Sequence, residues 1–424
     1  MKRALGLPEL CLYAIGMILG AGIYSVIGKA AGIAGHALWL SVAVGAVPAL
    51  LTGLSYAELA TAFPKAGAEY VYVREAAPRW RWPSTLVGIV IVLAGAGTAA
   101  TVAIAFAGYL TLFVPAPEPL VAVLLLIVMT AINVLGIETS ARVNGLFTLI
   151  EVGGLCVVIA LGITRPDFGR SALQDLDLAI LPAAALLFFA FLGFEEIANL
   201  AEEANDAARD VPRAILIGVA VSAVLYVLVA LSATTLLSPA ALAASGSPLA
   251  DAAGSVSEAM VGILGGAALF ATANTGLIAL VVTSRMLFGM ARGGDLPPVL
   301  ASTLRGRRTP WVAALATLAV ALAVVPLGAV ELIAGLASFA ALLAFLAVNT
   351  CVVVLRFRRP GLERPFSVPL AVGRLPILPV AGVASSALLL TQFGRDVYVA
   401  GAVALAVGVV VVLLRGLWTN ARAN

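Results

Sequence analysis

The sequence predicts an all-α integral membrane protein of twelve transmembrane helices, and three observations carry that expectation. Of 424 residues, 62% are hydrophobic and only 11% are charged, against about a quarter charged in ordinary soluble domains. The apolar residues fall in runs close to the ~20 residues that a helix needs to cross a bilayer. The basic residues fall between those runs, strongly biased to one side. A soluble fold of this length cannot hide so much apolar surface. Disorder is excluded because there is far too much to bury. The runs do not alternate in ten-residue segments, so a β-barrel does not fit. The net charge is +3 with no clustered basic face, which excludes a nucleic-acid partner.

The runs lie at roughly 9–33, 38–62, 84–113, 119–136, 143–164, 180–203, 211–236, 257–291, 310–326, 330–355, 375–393 and 396–415. Pro, Gly and charge clusters separate them. The first follows Met1-Lys2-Arg3 without a small-residue cleavage site, so it reads as a span rather than a signal peptide. No intervening loop is long enough for an extramembrane domain. Cys11, Cys156 and Cys351 are far apart in sequence and His36 is the single histidine, so no metal or other cofactor is expected.

Loop charge sets the orientation, because Lys and Arg concentrate on the cytoplasmic side. Of the 25 basic residues, 20 fall at the termini or in the loops after even-numbered runs. They include Lys2, Arg3, Lys65, Arg74, Arg79, Arg81, Arg142, Arg209, Arg213, Arg292, the Arg305–Arg308 cluster, the Arg356–Arg374 group, Arg415 and Arg422. The other loops hold Arg165, Arg170 and Arg395; Lys29 and Arg285 lie within runs. The expectation is a multi-pass protein of the plasma (inner) membrane with both termini cytoplasmic. That parity agrees with twelve spans.

Two runs carry interruptions. Run 1 reads Ile15-Gly16-Met17-Ile18-Leu19-Gly20-Ala21-Gly22-Ile23-Tyr24, with glycines two apart at its middle. Each glycine costs about 1 kcal/mol of helix propensity relative to alanine. Run 6 reads Leu187-Phe188-Phe189-Ala190-Phe191-Leu192-Gly193-Phe194-Glu195-Glu196, one glycine followed by two carboxylates. Glycine also serves helix packing, and Gly16-xxx-Gly20 fits that use. Runs 1 and 6 are five apart, however, so a five-helix repeat maps one onto the other. Five is odd, so the second copy is inverted, an arrangement that places substrate at broken helices near the midplane. A carboxylate within the bilayer faces a cavity or a partner. Apolar sequence continues past Glu195 and Glu196 as far as Glu202-Glu203, which places at least one of the first two inside; the alternative is that run 6 ends early and both are interfacial.

At these residues the sequence resembles the amino acid–polyamine–organocation permease superfamily, whose inverted-repeat fold was first seen in a bacterial leucine transporter. Gly20-Ala21-Gly22-Ile23-Tyr24 is similar to its first-helix break. Phe188 to Glu195, then Glu202-Glu203 and Val211-Pro212-Arg213-Ala214-Ile215, resemble its sixth helix and following loop. Ser284-Arg285 with Met290-Ala291-Arg292-Gly293-Gly294 is similar to the end of its eighth helix, and Pro64-Lys65-Ala66-Gly67-Ala68-Glu69-Tyr70 to the loop after its second. The resemblance implies a first repeat over 1–170, a second over 171–359 and two further helices over 360–424. It implies a secondary transporter, not an enzyme, working by alternating access. It places a substrate carboxylate on the amides of Gly20, Ala21 and Gly22, beside Ile23. A substrate ammonium would meet carbonyls of Ile18, Phe189 and Leu192, next to Gly193, with the Phe189 ring as a gate. A helix N-terminus suits the anion on physical grounds.

Relatives couple to sodium, to protons or to exchange, and many carry a lysine in the fifth helix in place of the ion. Here the matching position is Glu151, a departure that puts the lysine mechanism in doubt. Desolvation disfavours the charged form of a buried carboxylate, which suits proton loading and release. Glu151 could instead ligate a cation with Thr283 and Ser284, or pair with Arg285 or Lys29. Glu195 matches a position assigned gating or proton-sensing roles and ranks second for protonation. Glu58, Glu202 and Glu203 read as solvated charges at the cytoplasmic ends, the last two meeting Arg209 or Arg213.

The pocket is expected from Ala94-Gly95-Ala96-Gly97-Thr98, Thr272-Ala273-Asn274-Thr275 and Ala337-Ser338-Phe339-Ala340. These segments favour a small neutral L-amino acid, with Thr98 and Asn274 as polar liners. The glutamates keep a polyamine or cationic amine open, carried in sodium-coupled or exchange mode. One histidine and no paired cysteines argue against an intramembrane enzyme. A channel lacks a repeated filter sequence, and an ATP-driven pump lacks a P-loop. The partners implied are amino acid or amine, H+ or Na+, and lipid.

Overall fold

The computed structural model describes residues 5–64, 67–135, 141–174, 176–199, 204–304, 309–327 and 329–420, with backbone alone at 141–146, 199 and 414–420. Lys2, Arg3, Lys65, Ala66, Glu202, Glu203, Arg305, Arg307, Arg308 and Arg422 lie outside the described residues, as do the side chains of Arg142 and Arg415.

The chain is nearly all helix. In order the helices are α1 (Leu7–Leu19), α2 (Ala21–Ala34), α3 (Leu38–Ala62), α4 (Ala68–Ala76), α5 (Trp82–Leu110), α6 (Glu118–Leu135), α7 (Ala141–Ile163), α8 (Ile180–Leu187) and α9 (Glu196–Asn199). Then follow α10 (Ala207–Leu236), α11 (Pro239–Ala244), α12 (Pro248–Gly254), α13 (Glu258–Arg292), α14 (Trp311–Val324), α15 (Val330–Arg358), α16 (Ile377–Leu390) and α17 (Arg395–Asn420). A two-residue hairpin, β1 (Ala371–Val372) with β2 (Leu375–Pro376), precedes α16.

Among the described residues, eight helical stretches are long and apolar enough to cross a membrane. One of them, Leu7–Ala62, has 56 residues and contains α1, α2 and α3. Three shorter apolar helices, Phe147–Ile163, Trp311–Leu327 and Ile377–Leu390, accompany them. The structure is therefore that of a multi-pass membrane protein. Large apolar side chains are exposed in rows: Leu120, Leu124 and Val128 stand one turn apart on α6, and Val399, Val403, Val407 and Val410 form a similar stripe on α17. Contiguous apolar stripes of this kind are rare on soluble surfaces.

The loops are more structured than the sequence suggests. Short helices α4, α11 and α12 occupy segments read there as plain connections. The hydrophobic pattern of a six- to nine-residue helix is too short to distinguish from a loop.

The interior is tied together by aromatic rings. Tyr56 of α3 meets Phe194 and Phe345 edge-on at 5.8 and 5.6 Å, and Phe188 meets Phe345 at 5.8 Å. These contacts clamp α3 and α15 onto the segment after α8. At the end of α3, Glu58 departs from its expected solvated setting. It is 2% exposed and accepts Arg356 at 2.5 and 3.2 Å, Arg364 at 3.1 Å and the Val368 amide at 2.8 Å. It fastens the segment after α15 to α3.

Candidate transport site

Both interruptions expected from glycine are present. α1 ends at Leu19, and Gly20, at φ −46° and ψ −159°, carries the chain out of helical geometry before α2 begins at Ala21. The interrupted ladder leaves the Ala21 amide without an intrahelical acceptor, and it donates to Thr275 Oγ1 of α13 at 2.9 Å. In the sixth run, α8 tightens into a 3₁₀ turn over Phe188–Phe191. Leu192 is extended, and Gly193 has φ +119°, where only glycine sits without strain. The Gly193 amide donates to Glu195 Oε2 at 2.8 Å.

The two breaks touch. A Cβ on Gly22 would lie 2.6 Å from the Ala190 Cα, and one on Gly193 would lie 2.7 Å from the Met17 carbonyl oxygen. One side chain spans both: the Tyr226 hydroxyl of α10 sits 2.5 Å from the Ile18 carbonyl oxygen and 3.1 Å from that of Ala190. Hydroxyls also nest where glycine lacks a side chain. Thr148 fills the space beside Gly16, Thr275 that beside Gly20, and Thr283 that beside Gly95.

Beside the breaks lies a cavity of about 80 Å³, space for about half a dozen water-sized groups. Its wall comes from Gly16 and Met17 of α1, from Ile91, Ala94, Gly95 and Thr98 of α5, and from Leu192, Gly193, Glu195 and Glu196 at the second break. Thr275, Ile278, Ala279, Val282 and Thr283 of α13 and Ala341 of α15 complete it.

Of the residues singled out from sequence, Thr98, Leu192, Gly193, Glu195 and Thr283 line this cavity. Ile18, Gly20, Ala21, Gly22, Ile23 and Phe189 are buried at the breaks beside it. The Ile18 carbonyl is taken by Tyr226, and that of Phe189 by the Leu192 amide at 3.2 Å. Asn274 is buried one residue from the lining Thr275. Ser284 accepts from Asn133 of α6 at 3.3 Å. The expected α15 segment is displaced by one residue past its end: Ala341 lines the cavity, while Phe339 packs on Phe393 and Tyr398.

Glu151 lies outside this wall. It is fully buried on α7, and neither carboxylate oxygen has a partner in hydrogen-bond geometry. Asn274 approaches it without completing a hydrogen bond, and Tyr24 donates to its backbone carbonyl at 3.2 Å. The alternative partners are engaged or turned away: Lys29 pairs with Glu331 at 3.3 Å, and Arg285 is exposed. His36 lines a separate polar recess with Asp167 and Arg170.

Sequence reasoning missed Tyr226 and Thr275. Nothing in run 7 marks Tyr226, and Thr275 fell within an expected segment without being distinguished from its neighbours.

Known proteins similar to this chain are transporters. A family model described as amino acid permease matches residues 5–414. An uncharacterised transporter of Mycobacterium tuberculosis is 31% identical over 96% of this chain and 90% of its own. The branched-chain amino acid permease BcaP of Bacillus subtilis is 28% identical, covering 98% and 93%. A methylthioribose transporter of Bacillus subtilis is 26% identical, covering 90% and 86%. With its family match running almost end to end and two helix breaks meeting at a cavity, the chain belongs to the amino acid permease family of the amino acid–polyamine–organocation superfamily.

Proposed function

We propose that the protein carries small neutral L-amino acids across the plasma membrane by alternating access, coupled to protons. The observation that carries this reading is the meeting of two broken helices at one cavity walled by Gly16, Ala94, Gly95, Ala279 and Ala341. These small apolar groups leave room for a short side chain. The branched-chain specificity in the name of BcaP also lies among neutral amino acids.

In this reading the chain makes twelve spans: α1 with α2, α3, α5, α6, α7, α8 with α9, α10, α13, α14, α15, α16 and α17. The first repeat covers 1–170, the second 171–359, and 360–424 adds two helices, with both termini cytoplasmic. The substrate carboxylate takes the Gly20–Gly22 amides at the start of α2, where the helix dipole favours an anion. The ammonium takes carbonyls of Ile18, Phe189 and Leu192. Thr275 and Tyr226 hold the Ala21 amide and the Ile18 carbonyl in the present conformation, so binding exchanges those bonds for substrate. Phe189 gates the site. Glu195 in the cavity wall and the unpartnered Glu151 are the proton carriers.

A second reading, a carrier of cationic amines, is favoured by Glu195 and Glu196 in the wall. Uptake of radiolabelled L-alanine, L-valine, L-lysine and putrescine into proteoliposomes separates the two, run with and without Na+ and a pH gradient. Accumulation of alanine or valine under a pH gradient is the expected result. Accumulation of putrescine alone, or under a Na+ gradient alone, sinks the first reading.

A further inference from the structure

The loop helix α4 holds a carboxylate that the cavity does not use. Glu69 stands in its first turn and is 2% exposed. Its Oε1 accepts the Tyr56 hydroxyl of α3 at 2.7 Å, and its Oε2 is buried without a hydrogen-bond partner. The Tyr72 hydroxyl on the same helix is likewise buried and unpartnered. An acid placed only to favour the helix start serves as well when exposed. Burying an unsatisfied polar atom costs about 1–3 kcal/mol.

Tyr56 reaches from Glu69 toward the cavity. Its ring packs edge-on against Phe194 at 5.8 Å, and the next residue, Glu195, lines the cavity. Glu195 acts electrostatically on Tyr56, and Glu69 acts on Glu195. Among the described residues, the titratable groups facing Glu69 are therefore Tyr56, Tyr72 and Glu195. Four described cations around α4 are engaged elsewhere. Arg74 meets Tyr70 and Asp295, Arg81 meets Asp295, Arg359 pairs with Glu75, and Arg358 donates to the Ala76 carbonyl.

From this placement we infer that Tyr56 and Glu69 form the outer limb of a proton path between Glu195 and the face of the protein that carries the arginine-rich loops. The inference rests on the proton-coupled reading above. In the transfer, the Glu195 carboxyl gives its proton to the Tyr56 oxygen while the Tyr56 hydroxyl gives its own to Glu69 Oε1. Glu69 then releases that proton to water beyond α4. No co-reactant is needed, and Tyr56 ends as it began. Burial raises Glu69 above the ordinary carboxylate range, with the Tyr56 hydrogen bond opposing, so it accepts a proton more readily than a surface glutamate. No hydrogen bond joins Glu195 to Tyr56 in this conformation, so the path is interrupted at that step. Approach of the broken segment to α3, or one bridging water, closes it. A carrier needs such an interruption, because a continuous path would leak protons without substrate.

The test compares wild type, Glu69→Gln, Tyr56→Phe and Glu69→Asp in proteoliposomes. The probe is whichever of radiolabelled L-alanine, L-valine and L-lysine the wild type moves fastest. Each protein is assayed for net uptake driven by a pH gradient and for exchange of internal against external probe at equal pH. Exchange needs no net proton release, so a broken relay leaves it intact. The expected result is a loss of about tenfold or more in gradient-driven uptake for Glu69→Gln and Tyr56→Phe, with exchange close to wild type. Glu69→Asp, which keeps an acid, recovers part of the gradient response. A wild type indifferent to the pH gradient overturns the proton-coupled reading and this inference with it. A responsive wild type whose Glu69→Gln variant responds equally overturns the relay alone. Equal loss of both modes in all three variants assigns the residues a structural role and also overturns it.

Discussion

Alanine at Gly193 perturbs the second break in two ways that the structure allows to be sized separately. A side chain at φ +119° costs about 1–3 kcal/mol of backbone strain. Its Cβ would also stand 2.7 Å from the Met17 carbonyl oxygen and 3.0 Å from the carbonyl carbon. Those are main-chain atoms that no rotamer change removes, and overpacking of this kind costs about 1–3 kcal/mol. Together Gly193→Ala is expected to destabilise by about 2–6 kcal/mol. For 424 residues, an unfolding entropy of about 2.1 cal/mol/K each converts that to a fall of about 2–7 °C in Tm. Thermal unfolding in detergent reads it, with Gly153→Ala as the control. Nothing lies within 4 Å of a Cβ built at Gly153, and alanine is the better helix former by about 1 kcal/mol, so the control melts at or above wild type. Uptake falls in Gly193→Ala because the Met17 and Gly193 backbones that wall the cavity are forced apart. Equal melting temperatures for the two variants refute the reasoning.

Four further outcomes follow. Glu58→Ala strands the Arg356 and Arg364 guanidinium groups and costs about 3–5 kcal/mol; Arg364→Ala, which leaves Arg356 paired, costs less, and the reverse order in thermal unfolding contradicts the fastening role. Thr275→Val removes the acceptor of the Ala21 amide and costs about 1–3 kcal/mol, while Thr275→Ser melts close to wild type; indistinguishable Val and Ser variants deny that bond its importance. Glu151→Gln abolishes the response of uptake to an imposed pH gradient, and an unchanged response removes Glu151 from coupling. For Glu69, whose folded value is raised by burial, the stabilising contribution is full below the ordinary value near 4.3 and is lost as pH rises through the raised one. Wild type therefore loses Tm relative to Glu69→Gln as pH rises above about 4.3; parallel curves show that burial of Glu69 is not sensed in the folded state.

What the sequence made legible were features written in consecutive residues. Gly20 and the Leu192-Gly193 pair break their helices because glycine's low helix propensity is a local property, and the five-run spacing marked the two as counterparts. Partnership across the chain left no such mark. Tyr226 joins the two breaks from 208 residues beyond Ile18, and its own run looks like any apolar span. Glu58 reads as a solvated end charge until the fold brings Arg356 from 298 residues away. Lys29, a basic residue inside run 1, proves to be paired with Glu331. Helical phase accounts for the smaller displacement in α15. An aligned segment fixes which turn faces the cavity only to within one turn, and Ala341 faces it where Phe339 was included in the expected stretch.

The buried acids differ most in what compensates them, and that difference divides their work. Glu58 meets two guanidinium groups and a backbone amide; such a site is rigid, because any change at the carboxylate would leave buried cations unpaired. Glu195 accepts the Gly193 amide and faces the cavity. Glu69 keeps one tyrosine hydroxyl. Glu151 has no partner in hydrogen-bond geometry at either oxygen. A group can accept and release a proton within a transport cycle only if neither state is locked by its neighbours. By that criterion Glu58 is a fastener, and the other three are the acids that the proposed proton coupling can draw on. They stand at different places: Glu151 on α7 beside Asn274, Glu195 in the cavity wall, Glu69 in the first turn of the loop helix α4. A single protonation site can sense substrate or communicate with solvent, but doing both requires it to move. On the proton-coupled reading proposed above, three sites at different places would divide those tasks, with the helix break between Leu192 and Glu195 as the part proposed to move.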